Sequence, residues 1–189
     1  MAQRYPFARF ASFIPRNGKR LITALAAVAI TVALSASAGS AGNGRTVKTE
    51  GDELFVPNAK IQATFKFAPG HITIKSGETL TFSHGDKSQE PHTLSIVNKD
   101  EVPDSLDAVF NCGAPGTPCF DVFNQFPSEP ADSTFLDAAG TGAGIDGRLD
   151  TLFITPGGSI SAPVTAPSGS TLYFICAIHP WMQGEIDVN

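Results

Sequence analysis

Apolar residues return at every second position in run after run of this chain, and most runs close on glycine, proline or a small polar cluster. That rhythm belongs to half-buried β-strands. Ile61, Ala63, Phe65 and Phe67 alternate with polar neighbours. His71–Ile74, Thr79–Phe82 and His92–Val97 follow, the first two separated by the turn-forming Lys75-Ser-Gly-Glu78. The pattern returns at Asp150–Ile154, Ser159–Val164, Gly169–Cys176 and Gly184–Val188. Seven or eight short strands in a chain with 18 glycines and 14 prolines predict an all-β fold, a Greek-key β-sandwich. The 189 residues can build one sizeable core but not two ordinary domains with linkers.

The N-terminal end of the chain differs in character from the strand region. Arg16, Lys19 and Arg20 precede the apolar run Leu21–Leu34, which ends in Ser35-Ala-Ser-Ala38. This reads as a signal peptide over residues 1–38, since a run of about 14 residues is short for a membrane span of roughly 20. The mature chain is therefore expected to be exported, to a periplasm or to the cell exterior, without a membrane span. Residues 39–59 read as a flexible leader and 60–189 as the domain. Without residues 1–38 the chain keeps 8 Lys and Arg against 18 Asp and Glu, a net charge of −10. Such a surface repels nucleic acid and anionic lipid.

Residues 98–148 interrupt the strand rhythm with prolines, acidic residues and the run Gly140-Thr-Gly-Ala-Gly144. This is a long insertion, with one short helix expected over Val102–Phe110, Pro103 in its first turn and Leu106, Val109 and Phe110 on one side. Asp146 and Asp150 carry no calcium-loop pattern and read as part of a solvated acidic face.

Three cysteines in an exported chain leave one over. Cys112 and Cys119 flank a Gly- and Pro-rich loop that can bring their sulfurs together as a disulfide. Cys176 then stands alone. It shares parity with Leu172 and Phe174, so it points to the core face of its strand, as His92 does with Leu94 and Ile96. Beyond it, Ala177-Ile-His179-Pro-Trp-Met182 supplies an imidazole and a thioether within seven residues of the thiol. One thiolate, two imidazoles and a weak axial thioether are the donors of a blue, type 1 copper site, whereas zinc takes firmer nitrogen and sulfur ligands. His84, in Phe82-Ser-His-Gly-Asp86, is the alternative first histidine. His92 is preferred for its parity, and His71 and His84 read as ordinary histidines.

Cys176-x-x-His179-Pro-Trp-Met182, followed by Gly184-Glu-Ile186, resembles the copper loop of the cupredoxins, in particular the plastocyanin-like and amicyanin-like members. Ile72-Thr-Ile-Lys-Ser-Gly-Glu-Thr-Leu80 and Pro91-His-Thr93 resemble that family's approach to its first histidine. The resemblance implies one copper per chain, held by His92, Cys176 and His179 with Met182 axial. It also implies an apolar patch near His179 and Trp181 where redox partner proteins dock. Two features depart from the pattern: Thr93 follows the first histidine, and the insertion is much longer than in compact members.

The function expected is single-electron transport by a monomer without catalysis of its own. A copper storage or delivery protein is the alternative, disfavoured because no adaptable methionine or histidine cluster is present. A multicopper enzyme would need more than the four histidines of this chain.

Overall fold

A computed structural model describes residues 44–128 and 132–189, so the expected signal peptide lies outside the described residues. Among them are twelve strands. In chain order they are β1 (Arg45–Glu50), β2 (Glu53–Val56), β3 (Lys60–Ala63), β4 (Lys66–Ala68), β5 (His71–Ile74) and β6 (Thr79–Ser83), then β7 (His92–Val97), β8 (Thr134–Leu136), β9 (Thr151–Ile154), β10 (Ser159–Pro163), β11 (Thr171–Ile175) and β12 (Gln183–Val188). One sheet has the order β10-β6-β1-β4 and the other β5-β12-β11-β7-β9-β8. The connections β6 to β7, β9 to β10 and β10 to β11 each pass from one sheet to the other, which makes an all-β sandwich.

The core lies between the sheets. Val47, Phe67, Leu80 and Phe82 of the smaller sheet meet Leu94, Ile96, Leu152, Phe174 and Ile186 of the larger. The Phe67 and Phe174 rings pack edge to face, with centroids 4.9 Å apart. Gly184, opposite Phe174 in β12, leaves room for that ring, since a Cβ there would collide with it and with the Gly70 carbonyl.

Four expectations need correction. The stretch that composition marks as a flexible leader contains β1, which runs between β4 and β6 and pairs with both. Only Val47 and Thr49 of β1 are buried. The other four residues face outward, so the strand reads as polar. The single strand expected over Ile61–Phe67 is broken. Asp52 and Thr64 exchange hydrogen bonds through their backbones and the Thr64 hydroxyl, closing a separate β2-β3 hairpin. Ile61 is left 80% exposed while Phe65 turns inward.

The insertion carries two helices instead of one, α1 (Leu106–Asn111) and α2 (Pro118–Phe123). The Ser105 hydroxyl caps α1 by accepting from the Ala108 amide at 3.2 Å, which leaves Pro103 ahead of the helix. Leu106 and Phe110 face solvent, Phe110 at 82% exposure. The buried contacts come from the expected Cys112–Cys119 disulfide and from Val122, which pack on Val97, Ile175 and Ala177. This second cluster covers the outer face of the larger sheet, and β7 and β9 are accordingly buried along their whole length.

Asp150 is not on a solvated face. It is buried, and its carboxylate accepts from the amides of Ala138, Asp146 and Gly147. Arg148 ties the insertion together, reaching Glu101 at 2.6 Å and Asp121 at 2.7 Å.

Candidate metal centre

Three side chains, His92, Cys176 and His179, meet where strands end, and Met182 lies on the loop that carries two of them. His92 opens β7, and Cys176 follows the last residue of β11. His179 and Met182 lie on the connection into β12, which is cinched by Cys176 N–H donating to the Met182 carbonyl (3.0 Å) and Met182 N–H to that of His179 (2.8 Å).

The Cys176 Sγ is 3.9 Å from Nδ1 of His92 and 3.8 Å from Nδ1 of His179, and the two nitrogens are 3.2 Å apart. A triangle with these sides has its centre about 2.1 Å from every corner, close to a transition-metal bond to nitrogen or sulfur. All three donors could therefore hold one ion without rearrangement. Met182, buried in the same cluster as Cys176, provides a thioether on the same loop. This is the donor set of a type 1 copper site. Zinc would find three firm ligands and a thioether it binds poorly.

The site is buried and its donors are held from outside. The Thr93 amide donates to Cys176 Sγ at 3.4 Å, and the Thr93 hydroxyl accepts from Ala177 N–H at 2.8 Å. Thr93 thus clamps the strand that carries the first histidine to the loop that carries the cysteine. Phe65 sets its ring edge to face against both imidazoles, at 5.4 Å from His92 and 5.0 Å from His179. Trp181 donates its indole N–H to the Phe65 carbonyl at 3.2 Å and lies 5.2 Å from His179. Trp181 is 43% exposed and His179 8%, so this pair marks where the site approaches the surface.

Of the remaining histidines, His71 is satisfied on the surface by Asp187 at 2.8 Å. His84 is not a member of the donor triangle. It lies behind His92, its ring 5.6 Å away, with Asp86 between the two. Phe65 and Asp86 are the site residues that sequence reasoning missed. Asp86 stood in the quoted segment Phe82-Ser-His-Gly-Asp86, but nothing in the spacing brings it against His92.

Burial, then the neighbouring His179, pushes His92 down to about 4, and burial also lowers His179. Both imidazoles stay neutral near pH 7, the form a metal needs. Burial raises the Cys176 thiol, so the metal must displace its proton. For Asp86, burial by itself would raise the carboxyl, but hydrogen bonding, from Ser88 first, leaves it lowered.

A pH effect on the metal-free protein follows. The unfolded chain takes a proton at His92 near the ordinary value of 6.5, the folded chain only near 4. Acidification through that window favours the unfolded chain. The apoprotein is expected to be less stable by about 2–3 kcal/mol at pH 4.5 than at pH 7. Denaturant unfolding at the two values checks this, and equal midpoints would contradict the burial of a neutral His92.

No family model matches the chain, and no curated protein matches it. The search of solved structures finds copper proteins. A reduced auracyanin from Roseiflexus castenholzii is 20% identical, with 77% of this chain and 96% of that one covered at a TM-score of 0.44. Plastocyanin from Dryopteris crassirhizoma is 22% identical, covering 76% and 99% at 0.36. Amicyanin from Paracoccus versutus is 12% identical, covering 78% and 83% at 0.37. His92, Cys176 and His179 are grouped closely enough to hold one metal ion, and the reading of this site rests on those donors and their geometry.

Proposed function

We propose that the chain is an exported blue-copper electron carrier whose copper would be held by His92, Cys176 and His179 and, more weakly, by Met182. The observation that carries this reading is the donor triangle, whose corners are equidistant from one point at bonding length. Copper, when bound, supplies a one-electron couple. The protein's part is to keep the donors from moving. His92 and Cys176 sit at the ends of hydrogen-bonded strands, the loop is closed on itself, and Thr93 joins the two. Donors that shift little between the two oxidation states make the exchange fast.

Electrons enter and leave beside His179, where Trp181 offers exposed apolar surface to a docking redox protein. The net charge of −10 without residues 1–38 favours partners with basic surfaces and disfavours nucleic acid. The carrier acts as a monomer in the periplasm or outside the cell, and it is not an enzyme. Among the described residues no helix is long and apolar enough to cross a membrane.

Storage or delivery of copper is the competing role, and cycling separates the two. Copper-loaded protein taken through repeated rounds of ascorbate and ferricyanide is expected to bleach and recover its colour with copper retained. Loss of copper on each reduction would instead identify a protein that releases its metal.

A further inference from the structure

Asp86 belongs to the loop between β6 and β7, and its carboxylate is completely buried. The two oxygens have separate surroundings. Oδ1 accepts from the Ser88 amide at 2.9 Å and the Ser88 hydroxyl at 2.6 Å, with Nε2 of His84 at 3.4 Å. Oδ2 faces Nε2 of His92 at 3.0 Å. Both of these last atoms are buried, and neither makes a hydrogen bond among the described residues. A buried carboxylate oxygen and a buried ring nitrogen are each costly unless paired. At 3.0 Å they are within hydrogen-bonding distance of each other.

The loop is built to keep this approach. The Gly85 amide donates to the Thr49 hydroxyl at 3.0 Å, and a Cβ on Gly85 would come within 2.6 Å of the Thr49 carbonyl. Only glycine lets the loop lie this close to β1. An Asp that served only the local turn would need Oδ1 alone, since both Ser88 donors go there. Oδ2 takes no part in the turn and faces His92.

We propose that Asp86 is the positioning residue of the ligand His92, accepting its Nε2–H so that Nδ1 is the nitrogen presented to the metal. The inference rests on the type 1 reading. A carboxylate behind a metal-bound imidazole makes that ligand more basic. It stabilises the more highly charged Cu(II) over Cu(I) and lowers the reduction potential. Ser88 aims the carboxylate, and His84 occupies its other side.

The test uses the full mature chain, residues 39–189, in the wild type and in Asp86→Asn and Ser88→Ala. In Asp86→Asn the blue colour is expected to survive, with Cu(II) affinity falling about tenfold more than Cu(I) affinity, a rise of about 59 mV in potential. Ser88→Ala is expected to raise the potential by a smaller amount. It also keeps the inference testable should Asp86→Asn fail to fold. Nitrogen-15 spectra of the metal-free protein give an independent readout: His92 is expected as the Nε2–H tautomer in the wild type and as a mixture in Asp86→Ala.

A blue wild type whose potential is unmoved by both substitutions would overturn the role given to Asp86. So would a His92 tautomer indifferent to Asp86→Ala. A wild type that never turns blue would sink the type 1 reading instead, and the tautomer would still show whether Asp86 orients His92.

Discussion

Cys176→Ser is expected to abolish the blue colour and to lower copper affinity by more than the 10–100-fold that changes around a metal's ligands typically cost. The colour of a type 1 site belongs to the bond between copper and a thiolate, and the described residues hold one free thiol. Serine fits the same buried space at the end of β11, and the Thr93 amide that faces the sulfur can donate to a hydroxyl as readily. The fold is therefore expected to persist, with the Thr93 hydroxyl still holding Ala177. Visible absorption and a competition titration with a copper chelator measure the loss. An unchanged band would mean that another group ligates the metal.

The largest effect on stability is expected from Phe174→Ala, a loss of about 3–5 kcal/mol. Phe174 is fully buried where the sheets meet, against Phe67 of the opposite sheet and over the gap left by Gly184. Alanine would leave a cavity that neither neighbour can fill, because both are fixed by strand pairing. Thermal unfolding of the metal-free protein is expected to shift down by roughly 10 °C. Cys176 lies two residues on and faces the same core, so copper binding at low temperature is expected to survive. A loss below 1 kcal/mol would contradict the account of the core.

The contrast between those two residues and Asp86 shows what a linear reading can reach. Cys176, His179 and Met182 are legible because three of the donors occupy seven consecutive residues, and their chemistry names the metal class. His92 is legible through parity, since Leu94 and Ile96 mark which face of β7 is inward. The strands from His71 to Val97 and from Thr151 to Val188 follow the same two-residue period, and the observed elements match them.

What sequence could not show depends on packing brought from elsewhere. β1 has one buried aliphatic side chain, Val47, and owes its place to pairing with β4 and β6. The bend at Thr64 goes with its hydrogen bonds to Asp52, twelve residues away, and beyond it Phe65 turns onto the two histidines. Leu106 and Phe110 look like a core face but point to solvent, because the disulfide and Val122 already fill the space above Ile175. Asp150 reads as one acid among many until the three amides that surround it are seen.

The central claim is that His92, Cys176, His179 and Met182 form one type 1 copper site. The most direct test is a titration of the metal-free chain with Cu(II), followed by visible absorption and electron paramagnetic resonance. The account predicts an intense blue band that saturates at one copper per chain, with the narrow copper hyperfine splitting of a thiolate-bound ion, and that bleaches with ascorbate. Colourless binding, or saturation away from one copper per chain, would contradict it.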